Sequence, residues 1–271
     1  MRSSTVATPA QLRVNEVTPR NRRAIPPFVL RTIAGLVILV LWQLLVAGFE
    51  PAYIARPIGV VKRIGPVFSN GVFLKDIGYT LSAVLEGLAI AAVLGLVIGL
   101  VMGRLPDVRR ALGMYVNSFY AMPLIALVPL LTVWFGYTPR TRLVVVVIEA
   151  ILPIIYNVSE GAASVSATYI EVARIHRSPW WRVWLGVVLP SSLPYLLAGI
   201  DLAIGRALIG AVVAEFIAAI NGLGYFILFN VRSFHEDDAI VALLVLVAFA
   251  VGLRALVSLV VARGFRWYRP V

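Results

Sequence analysis

The chain has 271 residues, of which 61% are hydrophobic and 14% are charged, and its mean hydropathy is +0.93. Average soluble domains are roughly 45–50% apolar and about 25% charged, so this composition excludes both an ordinary soluble domain and a disordered chain. The formal net charge of +11 leaves nucleic acid or an anionic membrane surface as partners, and the hydrophobicity favours membrane lipid.

The residue types exclude several kinds of site. Lys62 and Lys75 are the only lysines, and neither follows a glycine, so the chain has no P-loop for ATP. Without cysteine there is no disulfide, thiolate metal site or cysteine nucleophile. His176 and His235 are too far apart to build a histidine metal cluster. We therefore expect no catalytic residues, metal or cofactor on this chain.

Six apolar stretches are long enough to cross a membrane, which takes about 20 helical residues. They cover residues 32–49, 81–103, 111–135, 143–161, 193–219 and 239–262. Pro123, Pro129 and Pro153 lie within the third and fourth stretches, where prolines are tolerated but kink a helix. The sequence predicts an all-α membrane protein, a polytopic bundle of six transmembrane helices.

The distribution of basic residues predicts the orientation of the bundle. Fifteen of the 24 fall in segments on the same side as the N-terminus, and seven fall on the other side. Because basic residues mark cytoplasmic segments, both termini are expected in the cytoplasm, and no nucleic-acid face remains. Residues 1–26 and 266–271 are then cytoplasmic tails, and 27–49 is the first anchor. A cleaved secretory signal is the alternative, but its apolar part is usually only about 7–15 residues long.

The segment 50–80 is predicted to lie at the outer surface as an amphipathic helix. Its apolar residues recur with helical spacing, while Lys62 and Arg63 lie on the other side. The apolar set is Val60, Val61, Ile64, Val67 and Phe68. In the second span, Gly95, Gly99 and Gly103 form a stripe that lets another helix approach closely, either within the chain or in another subunit.

Residues 162–190 form the longest predicted cytoplasmic loop, within a core that runs from 81 to 265. Helical periodicity from Val165 to His176 predicts a first short helix. Ser178 followed by Pro179 resembles an N-cap with proline at the first helical position, and predicts a second, tryptophan-rich helix. The expected result is a helix–turn–helix elbow with an apolar, aromatic face on the cytoplasmic side, which either lies on lipid or docks a cytoplasmic partner.

This elbow resembles the coupling loop of ABC importer permeases. That family pattern is Glu-Ala-Ala, three residues, Gly, nine residues, Ile, one residue and Leu-Pro. The matching positions are Glu171, Val172, Ala173, Arg177, Val187, Leu189 and Pro190, with Arg174 inside the motif. Further stretches at 79–82, 126–130, 134–136, 205–209 and 222–225 are similar to permeases of the nitrate/sulfonate/taurine branch, so the resemblance covers roughly residues 50–265.

The resemblance implies a type I importer permease of the bacterial inner membrane. It implies a separate ABC ATPase that binds ATP and Mg and docks on the elbow. It also implies a second permease copy, expected to be identical, and a periplasmic or lipid-anchored substrate-binding protein. The branch transports small anionic solutes such as sulfonates, taurine or nitrate.

Arg177 departs from the pattern, because the family has glycine there. A glycine would suit a left-handed residue that ends the first elbow helix, a conformation that costs other residues roughly 1–2 kcal/mol. We expect the helix to end differently instead, with Ser178 and Pro179 making the turn.

Charged and polar residues inside the spans are candidates for the translocation path, because charge is costly in hydrocarbon. These candidates are Asn117, Tyr120, Glu149, Asn157, Asp201, Arg206 and Glu215. Arg206 is expected to pair with Glu149 on the neighbouring span, either to fix packing or to line the path. Glu215 is expected near an outer gate. Glu86 and Arg254 are expected either to pair with each other or to extend their charged ends separately to the membrane interface.

Two other functions stay open from the residues alone. An ion-coupled secondary transporter would use the intramembrane carboxylates without ATP, but should show inverted repeats, and none is detected. A membrane-embedded enzyme is a weaker alternative, because no catalytic motif such as Gly-X-Ser-X-Gly is present.

Overall fold

Helices account for all the regular structure in the part of the chain that the structure describes, residues 27–49 and 54–264 of a computed structural model. This confirms the all-α fold class. The helices are α1 (Pro27–Phe49), α2 (Pro57–Phe68), α3 (Gly71–Arg104), α4 (Pro106–Ala121), α5 (Val128–Phe135), α6 (Pro139–Ala163), α7 (Ala167–Ile175), α8 (Trp180–Val183), α9 (Leu189–Ala218), α10 (Leu223–Arg232) and α11 (Glu236–Gly264). The predicted tails, 1–26 and 266–271, lie outside the described residues.

Five helical segments are long and apolar enough to cross a membrane. They are Phe28–Gly48, Gly71–Arg104, Pro139–Ala163, Trp180–Ala218 and Glu236–Arg263. Each overlaps one of the predicted spans. The first differs from the others in that almost all its apolar side chains are exposed, and Val46 is its buried residue. In a membrane these exposed side chains face lipid or another protein.

The remaining predicted span, 111–135, is not one helix. Helix α4 meets the segment Leu124–Phe135, which consists of a 3₁₀ turn (Leu124–Leu127) followed by α5, at an angle of 88°. The break falls at Pro123, and Met122 before it is extended (φ −75°, ψ 140°). A residue that precedes proline avoids the helical region, which explains why α4 ends there. Proline therefore does more than kink this span, whereas Pro153 lies inside a continuous α6.

Helix α6 lies at the centre of the bundle, between α3 and α9. The glycine stripe of α3 faces it: Gly95 lies against Ile154, and Gly99 lies against Val158. Two further glycines of α3, Gly87 and Gly103, also face α6. The stripe therefore serves packing within the chain, and its missing side chains let the two backbones approach closely.

The end of the bundle opposite the loop 164–188 is closed by α2 and α10. Val60 and Val67 of α2 are buried, and Arg63 forms a two-pronged ion pair with Asp238 at the start of α11, with N–O distances of 2.5 and 2.6 Å. Asp237 accepts a hydrogen bond from the backbone amide of Arg56 at 3.1 Å. The acidic run at 236–238 thus fastens the amphipathic helix to the bundle.

The close approach of α3 and α6 predicts that a methyl group on the glycine stripe destabilises the protein. A Cβ at Gly99 would lie 2.7 Å from the Cβ of Val158, so Gly99→Ala should cost about 1–3 kcal/mol. The control is Gly78→Ala in the same helix, where nothing lies within 4 Å and alanine favours the helix. Thermal unfolding of both purified variants in detergent measures the difference. Equal unfolding temperatures would show that the stripe is not tightly packed.

Candidate functional site

The elbow begins with α7, which leaves the bundle after α6. Ser166 caps it, since its Oγ accepts a hydrogen bond from the amide of Thr168 at 3.3 Å. None of the α7 residues is buried. The apolar side chains Tyr169, Val172 and Ile175 are exposed, Ile175 to 78%. An apolar surface of this kind on a protruding helix indicates a site for another protein.

Arg177 ends α7 in the left-handed conformation, with φ 49°. The amide of Ser178 donates to the carbonyl of Ala173 at 2.9 Å, and the amide of Arg177 donates to Arg174 at 3.0 Å. These two bonds define a Schellman motif, which normally holds glycine at this position. The expectation that the helix avoids this conformation is therefore wrong. Arginine occupies the glycine position of the motif and carries its strain.

The second half of the elbow also differs in detail from the prediction. Pro179, rather than Ser178, is the N-cap residue, and α8 begins at Trp180. A π-helical turn, Trp184–Val188, then joins α8 to α9, so a single helical segment leads from the elbow into the membrane. Pro190 explains the irregular turn, because it has no N–H to donate to a carbonyl four residues back.

The predicted coupling residues fall into two groups. Those in α7 and its C-terminal turn are exposed, apart from the half-buried Ala173, whereas Val187, Leu189 and Pro190 are half-buried at the start of α9. Glu171 and Arg174 were expected to be able to pair, but no ion pair joins them in the described structure. The exposed group is available to a partner, and the half-buried group fixes the elbow to the bundle.

One cluster of path candidates forms between α6, α9 and α4. Arg206 lies 3.7 Å from the carboxylate of Glu149, which confirms the predicted pair. The Arg206 guanidinium also lies 4.9 Å from the ring centre of Tyr120, and that ring stacks on Tyr156. Glu149 is buried, while the Arg206 side chain is 36% exposed. The arrangement presents a partly neutralised cation beside two aromatic rings.

A second pair of candidates lines a cavity elsewhere in the bundle. Asp201 and Asn157 line a cavity of about 660 Å³ between α6, α9 and α11. Asp201 lies 3.8 Å from Arg254, so the expected pairing of Arg254 with Glu86 is wrong. Asp201 and Arg206 are five residues apart on α9 and therefore face different sides of that helix. Asn117, the remaining candidate on α4, is exposed.

Glu215 lies in a buried polar cluster near the C-terminal end of α9. Its carboxylate accepts hydrogen bonds from Thr80 at 2.7 Å, from Arg142 at 3.0 Å and from the amide of Gly224 at 2.6 Å. Arg142 also donates to the carbonyl of Asn221 at 2.8 Å. The cluster therefore joins α3, α6 and α9 to the first turn of α10. It holds together the end of the bundle opposite the elbow.

The predicted fourth span began at residue 143 and so left Arg142 just outside it, yet Arg142 is buried in the first turn of α6. Thr80 and Asp76, which lie in the same region, were also missed as functional candidates. One available signal was Pro139, since proline favours the first turn of a helix and therefore places Arg142 inside α6.

Comparison with known proteins identifies the class. Residues 91–268 match the family of binding-protein-dependent transport system inner membrane components. The chain belongs to this family, and it is a multi-pass permease subunit of an ABC importer. Family membership favours this function over an ion-coupled secondary transporter. As a transport subunit, the chain is not itself an enzyme.

Individual relatives support this assignment. The chain is 31% identical to the formylaminopyrimidine transport permease protein ThiX of Halalkalibacterium halodurans, over 76% of this chain and 81% of that protein. It is 30% identical to the nitrate import permease protein NrtB of Leptolyngbya laminosa, over 89% and 88%. It is 27% identical to the putative aliphatic sulfonates transport permease protein SsuC of Bacillus subtilis, over 78% and 77%.

A solved structure shows the same fold. It is a chain from inward-facing conformations of the MetNI methionine ABC transporter, with a TM-score of 0.63 over 72% of this chain and 97% of that chain. The two sequences are 18% identical, so the likeness is one of fold.

The left-handed Arg177 predicts that glycine at this position stabilises the protein. Arg177→Gly should raise the free energy of unfolding by about 1 kcal/mol, because glycine adopts φ 49° without the Cβ penalty. In a chain of this size that is roughly 2–4 °C in thermal unfolding. Arg177→Ala removes the same side chain but keeps the Cβ, and should bring no such gain. A gain in both variants would assign the effect to the arginine side chain instead of the backbone.

Proposed function

We propose that this permease imports a small anionic solute, such as a sulfonate, taurine or nitrate, and is driven by a separate ABC ATPase that docks on the elbow. ATP and Mg are held by that partner. A substrate-binding protein delivers the solute outside, and both termini of the permease lie in the cytoplasm. Two of the relatives are named for nitrate and sulfonate, which supports this substrate class.

The observation that carries the anion assignment is the half-exposed Arg206. Its distance of 3.7 Å from Glu149 is too long for a good hydrogen bond, so guanidinium donors remain free for a solute. The ring centre of Tyr120 lies 4.9 Å from the same guanidinium and covers one face of it. A charge-assisted hydrogen bond from arginine to a sulfonate or nitrate oxygen is strong and directional.

Two identical permeases are proposed to enclose the path. The Asp201–Arg254 pair lies within two spans and has side chains that are 44% and 53% exposed. Such a pair is costly against lipid, and a second protein surface or a water-filled path would remove that cost. A second copy of the chain supplies both.

Arg206 is the residue with which to test the path. In liposomes that contain the permease, its ATPase and the binding protein, Arg206→Gln should lower uptake roughly 10- to 100-fold, since a hydrogen bond to a charged group is lost. Uptake of labelled solute is the measurement, and co-purification of the ATPase checks that the complex still assembles.

The control for Arg206 is a charge exchange with Glu149. The double variant Glu149→Arg/Arg206→Glu keeps an ion pair but reverses its direction. If the pair serves packing alone, the exchange restores uptake, and the path assignment is wrong. If Arg206 binds the solute, the exchange leaves uptake low.

The exposed elbow predicts the ATPase-binding surface. Tyr169→Ala should weaken binding of the ATPase about 30-fold, the effect of losing an aromatic residue at the centre of an interface. Tyr115→Ala is the matched control, since this tyrosine is similarly exposed but lies on α4: the exposed fractions are 64% and 57%. Titration of the purified permease with its ATPase gives both affinities. Equal losses, or none, would remove α7 from the interface.

A further inference from the structure

A basic cavity lies between the elbow and the ends of two spans. It has a volume of about 300 Å³, and its polar lining residues include Arg104, Arg174 and Ser178. Trp180 and Trp184 line the same space. Arg104 is the last residue of α3, and Trp184 opens the π turn that leads into α9. The cavity therefore lies at the level where both spans leave the hydrocarbon.

The two arginines of this cavity have no carboxylate partner in the described structure, and the cavity lining contains no acidic residue. This distinguishes it from other cavities of the molecule. Arg63 lines two cavities at the outer end and is paired with Asp238, and Arg142 lines another and is paired with Glu215. An anion that enters this cavity would therefore meet positive charge that no described carboxylate neutralises.

The cavity and the proposed ATPase surface lie on opposite sides of α7. Ile170 and Arg174 are one turn apart and both line the cavity, whereas Tyr169, Val172 and Ile175 follow the opposite face and are exposed. At 100° per residue the two sets are about half a turn apart. An ATPase on the exposed face leaves the cavity free.

We propose that this cavity binds the phosphate headgroup of an anionic phospholipid. Arginine pairs the phosphodiester oxygens through two parallel hydrogen bonds, and Ser178 adds a further donor. Tryptophan is favoured at the headgroup level of a membrane. Trp180 and Trp184 provide an apolar surface for the part of the acyl chain nearest the headgroup. Basic pockets between membrane helices at the cytoplasmic side suit this ligand. The inference does not depend on which solute is transported.

The test uses the purified full-length permease in neutral detergent. Phosphatidylglycerol is titrated into the micelles while thermal unfolding is followed, with phosphatidylcholine of the same acyl chains as the zwitterionic comparison. Phosphatidylglycerol should raise the unfolding temperature in a saturable manner, and phosphatidylcholine should not. Removal of one arginine should raise the half-saturating lipid concentration roughly fivefold, the contribution of one basic residue near an anionic surface.

The variants are Arg104→Gln and Arg174→Gln. Arg174 is exposed, so its substitution keeps the test valid if Arg104→Gln does not fold. Arg110→Gln is the control, because this arginine lies near the same end of the bundle but is 79% exposed and outside the cavity. A fivefold loss in both cavity variants and none in the control supports the proposal. Equal effects in all three, or no effect in any, overturn it.

Two further measurements test whether the anion in the cavity comes from a source other than lipid. Inorganic phosphate that reproduces the shift would make the cavity a site for soluble anions, and the lipid assignment would be wrong. Addition of the ATPase should leave the lipid-dependent shift intact. If the ATPase abolishes it, an acidic side chain of that partner fills the cavity and the lipid proposal fails.

Discussion

Three ion pairs inside the spans organise the bundle. Three acidic residues of the membrane core each meet an arginine: Glu215 meets Arg142, Glu149 meets Arg206, and Asp201 meets Arg254. The exposed fraction of the arginine side chain increases in that order: 6%, 36% and 53%. A fully buried pair fixes helices, because removal of either partner strands a charge, whereas a half-exposed pair can exchange its partner for a solute or a neighbouring subunit.

Close helix packing is what brings these partners within reach. Helix α6 supplies Arg142 and Glu149, and it is flanked on both sides by glycines. Gly99 of α3 lies against Val158, and Gly210 of α9 lies against Glu149, where an added Cβ would be 3.1 Å from the glutamate Cγ. With larger residues α9 would move away from α6, and the 3.7 Å distance between Arg206 and Glu149 would lengthen. The small residues and the ion pairs therefore depend on one another.

The sequence predicted the parts of the fold that follow from local pattern. Apolar length located the spans, helical spacing identified α2 and α7, and opposite charge on neighbouring spans paired Arg206 with Glu149. The sequence predicted only a kink where the chain turns by 88° between α4 and the segment Leu124–Phe135. A proline indicates that a helix is weakened, but it does not indicate the direction in which the chain continues. The predicted span excluded Arg142 because a charged residue lowers the local hydropathy. The sequence does not show that this arginine has a buried carboxylate partner.

Arg177 shows a different limit of the sequence argument. The left-handed conformation costs a non-glycine residue roughly 1–2 kcal/mol, which is why the sequence argued against it at Arg177. Arg177 nevertheless adopts this conformation. The Schellman bonds at Ala173 and Arg174 and the position of Pro179 together determine the turn, and their sum outweighs the local cost. Local strain is tolerated where the surrounding structure leaves no other conformation.

The elbow is continuous with α9, and this connects the proposed ATPase-binding surface to the proposed solute path. The segment Trp180–Ala218 is one helical unit, and it carries Asp201, Arg206 and Glu215 at successive depths. A displacement of the elbow therefore reaches all three ion pairs through one element. Glu215 accepts hydrogen bonds from three groups, one each on α3, α6 and α10, and the amide of Leu223 donates to Thr80, so the end of α9 opposite the elbow resists movement. The weaker pairs at Arg206 and Arg254 lie between this fixed end and the elbow, and they are where α9 can shift against its neighbours.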